Sequence, residues 1–309
     1  MLDGKRIWVA GHRGMVGSAL VRRLSQEGCT ILTVDRQECD LAEQDQVRRW
    51  MHANKPDMVI IAAAKVGGIL ANMNYPVDFM YSNLAIQNNI ITTAHDIDVQ
   101  KLLFLGSSCI YPRQSVQPIE ESSLLTGPLE PTNEWYAIAK IAGIRLCQAY
   151  MQQYGRRFVS AMPTNLYGPH DNFDLASSHV IPALIRKAHR AKIAGEDGME
   201  IWGTGKPLRE FLHVDDMADA TVFVLKNYED FEHINIGSGS DLSIAETARL
   251  VMEVVGLKGE LRHDLAKPDG MFRKLMSADK LRARGWEPKI SLRDGLATTY
   301  RWFLENVAD

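Results

Sequence analysis

The chain has 309 residues, of which 46% are hydrophobic and 24% charged, and its formal net charge is −3. These values exclude a disordered or collagen-like chain, and so even a balance offers no basic face for nucleic acid. No apolar run approaches the ~20 residues that cross a bilayer, so no membrane partner is expected.

Four cysteines, Cys29, Cys39, Cys109 and Cys147, are scattered without a paired CxxC spacing. A disulfide framework or zinc site is therefore not expected, and a reducing cytoplasm is the simplest setting for an enzyme of this size. Residues 5–10 (KRIWVA) form an apolar strand pattern that leads into GHRGMVGSALVRRLSQEG. There Gly11, Gly14 and Gly17 stand on a GxxGxxG spacing ahead of an amphipathic helix. The first glycine allows a tight turn. The others let backbone approach a pyrophosphate, which the helix N-terminus stabilises. A lone glycine triplet is weak, but a strand precedes it, a helix follows, and a second strand arrives at 30–34.

That second strand ends in Asp35 and Arg36, about twenty residues past the glycines, where the ribose of the adenine half is read. An acid there accepts a hydrogen bond from the free 2′-hydroxyl of NAD, whereas a guanidinium pairs with the 2′-phosphate of NADP. His12 and Arg13 add positive charge nearby, which favours NADP. A helical pattern at 43–53 and a strand at 58–61 follow, and AAAKVGG then offers small residues against a cofactor. The long helix at 78–96 carries Asn83, Gln87, Asn88 and Asn89 among apolar positions. Such a helix suits both a polar site and a packing surface, and the amides fit plain surface positions equally well.

The fourth strand, 101–105, runs into GSSCIYP. Ligands of open α/β sheets bind outside the carboxyl ends of strands, so Ser107, Ser108 and Cys109 are candidates for chemistry. Tyr136 and Lys140 lie four apart in the next helix, on one face. That helix continues through Tyr154, a strand follows at 157–162, and PTNLYGPHDNF (163–173) reads as a turn-rich loop over the sheet. Next come a basic amphipathic helix at 178–192, starting near His179, and MEIWGTGKPLREFLHVDD with Trp202, Lys206 and Arg209. Residues 214–225 and the strand 234–236 read as a return to the sheet. The remainder, with KPDG at 267–270 and a terminal helix at 292–306, reads as a small substrate-side domain. The expected fold is α/β: a Rossmann-type doubly wound parallel sheet in 1–172, rejoined by 212–238, and a smaller C-terminal α/β substrate-binding domain in 173–309.

The glycine turn, the serine after the fourth strand and YxxxK together resemble the extended short-chain dehydrogenase/reductase family over most of the chain. GHRGMVGSA, AAAKVGG, LLFLGSSCIYP, EPTNEWYAIAKIAGI, PTNLYGPHDNF, SHVIPAL, REFLHVDDMA and KPDG narrow the resemblance to one branch. The resemblance implies epimerisation of GDP-4-dehydro-6-deoxy-D-mannose at carbons 3 and 5 and reduction at carbon 4 with NADPH, giving GDP-L-fucose. It implies Ser107, Tyr136 and Lys140 for reduction, and Cys109 and His179 for epimerisation.

For NADP the same resemblance implies Gly11, His12, Arg13, Gly14, Met15, Val16, Gly17, Asp35, Arg36, Asp40 and Leu41. To these it adds Leu105, Gly106, Ser107, Ser108, Lys140, Pro163, Thr164, Asn165, Leu166 and His179. For the GDP-sugar it implies Lys187, Trp202, Arg209 and Asp269, and for assembly a homodimer through the long helices from residues 78 and 134. Asp35 is a departure, because the relatives usually lack an acid immediately before that arginine.

The implied roles agree with the chemistry of the side chains. Epimerisation and reduction both place negative charge on the ketone oxygen, so Tyr136 and Ser107 can act as donors in both. A tyrosine with a pKa of roughly 10 needs a neighbouring cation, which Lys140 supplies. Inversion needs two acid-base groups, for which a thiol with a pKa of roughly 8.5 and an imidazole with one of roughly 6.5 qualify. Taken alone, Cys109 also fits a small buried hydrophobe, His179 a helix-start surface residue, and Trp202 either a core aromatic or a face for guanine. Arg209 and Lys187 suit a diphosphate, and Asp269 a hydroxyl. The competing readings are a nucleotide-sugar 4-epimerase with tightly bound NAD and, more remotely, a non-catalytic dinucleotide sensor.

Overall fold

In a computed structural model of the chain, which describes residues 2–175, 177–267 and 269–308, the first strand already sets the layers. Pro268 of the KPDG motif lies outside the described residues. Along β1 (Arg6–Ala10), Ile7 and Val9 point into one core, and Trp8 and Ala10 into another. This is the period-2 alternation of a strand buried on both faces, which requires helices on both. α1 (Met15–Leu24) covers the first face with Ala19, Leu20 and Leu24. β2 (Thr30–Leu32) pairs in parallel with β1, and α2 (Gln44–Asn54) covers the second face with Val47, Trp50 and Met51.

β3 (Met58–Ile61) joins the other edge of β1, so the winding reverses between β1 and β3 and opens a crevice there. After a short α3 (Ile69–Asn74) come α4 (Pro76–Asp96), β4 (Lys101–Leu105) and α5 (Glu134–Tyr154). The two long helices pack together on the second face. Gly143 lets α5 lie close on β4, because a Cβ there would fall 2.5 Å from the Phe104 ring. Gln87 of α4 then donates to the Ala139 carbonyl of α5 at 2.7 Å.

Past β5 (Phe158–Pro163) the chain leaves the sheet for β6 (Asn165–Tyr167), α6 (Val180–Ile193), β7 (Gly198–Trp202) and β8 (Leu208–His213). α7 (Val214–Asn227) then docks on α1 with the ion pairs Arg22–Asp215 and Arg23–Asp219. β9 (Ile234–Ile236) adds beside β5, completing six parallel strands in the order β2-β1-β3-β4-β5-β9. β10 (Asp241–Ser243), α8 (Ile244–Val255), β11 (Glu260–Asp264), β12 (Arg273–Lys274), α9 (Asp279–Arg282) and α10 (Leu292–Asn306) finish the chain. Here β8 pairs with β10, β12 and β6, while β7 pairs with β11. Helices α6, α8 and α10 enclose a third core around Ile185, Val251 and Phe303. The architecture is thus a doubly wound parallel α/β sheet carrying a smaller C-terminal α/β part.

The expectation of a plain loop at 163–173 is corrected by β6. Asn165–Tyr167 pairs in parallel with Phe211–His213, and Pro163 and Gly168 bound a strand rather than mark only turns. The sequence reading also passed over α8, although its Ser243 and Glu246 form a capping box, a recognisable start signal.

Candidate active site

The carboxyl end of β4 supplies the centre of the site. Gly106 N donates to Ala161 O at 2.9 Å, holding the exit of β4 against β5. Ser107 then caps a single 3-10 turn, Ser108–Ile110, its hydroxyl accepting from Cys109 N at 3.2 Å. The same hydroxyl bonds Tyr136. The turn presents the Cys109 sulfur to α5, whose N-cap residue Asn133 donates its side-chain amide to Sγ at 3.1 Å. Lys274 of β12 places its ammonium 3.7 Å from the same sulfur.

Lys140 is 3% exposed, and its Nζ donates to Leu105 O at 2.9 Å. It stands 4.8 Å from the centre of the Phe104 ring and 5.8 Å from that of Tyr136. Burial pushes its pKa down to about 7. Burial also raises the Tyr136 phenol, with the neighbouring Cys109 adding to the rise and the Ser107 hydrogen bond opposing it. Phe79 of α4 stands edge-on to the Tyr136 ring at 6.5 Å. Ser107, Cys109, Tyr136 and Lys140 therefore meet at one place.

His179 comes from a different element, the N-cap position of α6. Its approach is bonded to the segment after β3, where Gly68 N donates to Ser177 O at 3.2 Å. The ring is solvent-accessible, yet enough protein surrounds it that desolvation lowers its pKa below the ordinary histidine value.

The cofactor side is built on the glycine turn. Gly11 has φ +90° and touches the end of β3 so closely that a Cβ would lie 2.7 Å from Ala63 Cα, and a Cβ on Gly17 would collide with the Gly11 carbonyl. The fold itself demands both. Gly14 differs, because a Cβ there would meet only Gly11 O at 3.6 Å. Gly14 is also the N-cap of α1, with no side-chain cap and no acid in the first turn. A bare helix N-terminus with room left above a glycine suits a phosphate. Met15 and Val16 are held behind it against the first core.

At the ribose end, Asp35 faces the turn while staying partly open to solvent. It takes Arg13 at 2.5 Å and stands 3.4 Å from the His12 ring, while Arg36 bonds Asp40 at 3.1 Å. Leu41 is fixed through its carbonyl by Asn89. Asn83 likewise bonds the Lys65 backbone in both directions, so these α4 amides hold loops in place. The stretch after Pro163 is tied beside β9: Thr164 N donates to Ile236 O, Asn165 bonds the Glu210 carbonyl, and Leu166 packs on the first core. Ser108 is buried.

At the far end, Trp202 is 57% exposed, which rules out the core-aromatic alternative. Lys187 and Lys267 each stand 5.5 Å from its ring centre. Arg209 Nη1 donates to Leu208 O and Met271 O, and desolvation lowers the guanidinium's pKa. Both Asp269 oxygens accept from Thr204, at 2.9 and 2.7 Å.

The profile of the NAD dependent epimerase/dehydratase family matches residues 7–237. The chain belongs to that family. Among epimerase/dehydratase relatives, the GDP-L-fucose synthase of Sinorhizobium fredii is 60% identical over 309 residues, covering 100% of this chain and 98% of its own. The GDP-L-fucose synthase of Escherichia coli is 53% identical over 315 residues, covering 99% of this chain and 98% of its own. A crystal structure of a GDP-L-fucose synthetase from Naegleria fowleri bound to NADP superposes with a TM-score of 0.90 at 30% identity, covering 99% of this chain and 96% of that one.

Three residues of this epimerase/dehydratase site escaped the sequence reading. Asn133 stands three positions before Tyr136 and passes for an ordinary helix cap. Lys267 opens KPDG and passes for a surface charge, and Lys274 has no local signal at all. The assembled groups offer a proton donor pair for a ketone oxygen and a thiol beside it, next to a cradle that fits a dinucleotide.

Proposed function

We propose that this chain epimerises carbons 3 and 5 of GDP-4-dehydro-6-deoxy-D-mannose and reduces carbon 4 with NADPH, yielding GDP-L-fucose. The observation that carries this reading is the Cys109 sulfur standing beside the Ser107–Tyr136 pair. A 4-epimerase or simple reductase needs the tyrosine pair alone, whereas inversion next to the ketone needs a base. Relatives of that name at 53–60% identity over nearly the whole chain support the substrate.

The glycine turn and the bare N-terminus of α1 would hold NADPH, which would supply the hydride. Burial keeps the Tyr136 phenol protonated at neutral pH, which suits it to donate to the carbon 4 oxygen. Ser107 gives the second donor, and Lys140 holds the nicotinamide end. Cys109 removes the proton next to the ketone, and His179 returns one from the other side. Trp202 offers a stacking face for guanine, with Lys187 and Arg209 toward the diphosphate and Asp269 toward a hydroxyl. Residues 1–172 with 212–238 serve the cofactor and 173–309 the sugar nucleotide. The apolar side chains Val77, Tyr81 and Trp135 exposed on α4 and α5 support a homodimer across these helices. Four free cysteines support a cytoplasmic setting.

Mass-spectrometric and NMR identification of the product from GDP-4-dehydro-6-deoxy-D-mannose and NADPH tests the reading. GDP-L-fucose is expected. Reduction without inversion, or no oxidation of NADPH, overturns it.

A further inference from the structure

The Cys109 sulfur has a charged neighbour from a distant part of the chain. Lys274 reaches it across 165 positions of sequence. Its strand is short but firmly held. β12 pairs with Leu208 and Arg209 of β8, Gln117 accepts from Leu275 N at 2.8 Å, and the buried Glu210 carboxylate accepts from Met276 N at 3.0 Å. Ile119 N donates to Leu275 O at 2.8 Å, tying the strand to the loop that follows the Cys109 turn. Adjacent side chains of a strand point to opposite sides. Arg273 is accordingly drawn to Asp241 at 2.5 Å, and Lys274 turns toward Cys109. Among the described residues Lys274 forms no ion pair with a carboxylate, so its ammonium is not spent elsewhere.

We propose that Lys274 is a positioning residue for the epimerisation, its ammonium fixing the Cys109 sulfur together with the Asn133 amide and stabilising negative charge on it. The proposal rests on the function proposed above. Cys109 as thiolate takes the proton from the carbon next to the ketone, and the C–H electron pair moves to give the carbon 4 enolate. Reprotonation of the carbon from the other face by His179 completes one inversion; the sulfur-bound proton then passes to solvent and His179 takes one back from it. The ammonium stands 3.7 Å from the sulfur, close enough to act on charge that develops there. The ketone chemistry of Ser107, Tyr136 and Lys140 does not pass through the sulfur, so loss of Lys274 should bear unequally on the two half-reactions.

The test compares two rates in the full-length protein. One is solvent deuterium incorporation at carbons 3 and 5 of GDP-4-dehydro-6-deoxy-D-mannose in D2O. The other is single-turnover oxidation of GDP-L-fucose by NADP+, both at saturating sugar nucleotide so that binding losses appear in KM. In Lys274→Met the ratio of deuterium incorporation to oxidation should fall by about tenfold or more, and Lys274→Arg should restore most of it. An unchanged ratio, or an arginine variant no better than methionine, overturns the role of Lys274. A parent protein that incorporates no deuterium contradicts the underlying function instead.

Discussion

Asp35 and Arg13 are joined across the cofactor turn, Nη2 donating to Oδ2 at 2.5 Å, with the His12 ring 3.4 Å from the other oxygen. The acid's charge is thus countered by the glycine turn itself. Its main effect is to keep the Arg13 guanidinium and the His12 ring near the ribose end, beside Arg36. We expect Asp35→Asn to lower the catalytic-efficiency ratio of NADPH over NADH by about two- to fivefold, the scale of a largely exposed ion pair. A rise in that ratio would mean that Asp35 repels the 2′-phosphate.

Gly14 and Gly17 should respond differently to the same methyl group. In Gly17→Ala the Cβ runs into the Gly11 carbonyl, so the turn must shift, and a loss of about 1–3 kcal/mol should appear in urea denaturation. In Gly14→Ala the added carbon meets nothing closer than 3.6 Å, and the stability change should stay below about 1 kcal/mol. NADPH affinity should nevertheless fall by about tenfold or more, as the methyl occupies space left for the pyrophosphate. Unchanged binding in Gly14→Ala would remove that role from the turn.

Lys140 gives a pH signature. Its pKa is depressed to about 7 by burial, so near pH 8 the free protein carries it mostly neutral. An anionic cofactor favours the ammonium and raises that pKa, so binding at pH 8 should take up protons. Affinity should accordingly weaken as the pH rises from about 7. Calorimetry in buffers of different ionisation heat measures the uptake, and Lys140→Met should abolish it. No uptake in the parent would show that the ammonium does not respond to the cofactor.

The first sheet was legible because its signals are local. Apolar runs such as 101–105 mark strands buried on both faces, and Gly17 is required by a contact with Gly11 in the same turn. The motif residues Ser107, Tyr136 and Lys140 likewise follow from a strand end and one helical turn. The C-terminal part was less legible because its strands have two to six residues and pair over long separations, as Arg273 does with Leu208. No local pattern announces such pairing. The pairing of Asp35 with Arg13, 22 positions earlier on a different element, is likewise not announced by any local pattern. Lys274, 165 positions from the sulfur it touches, is the extreme case.

The account stands most directly on Cys109 as the base of the epimerisation. In Cys109→Ser the hydroxyl is nearly isosteric but far less acidic than a thiol. Deuterium incorporation at carbons 3 and 5 in D2O should fall by about 10²- to 10⁴-fold while NADPH binding, followed by fluorescence, is retained. Incorporation at both carbons at the parent rate would contradict the account.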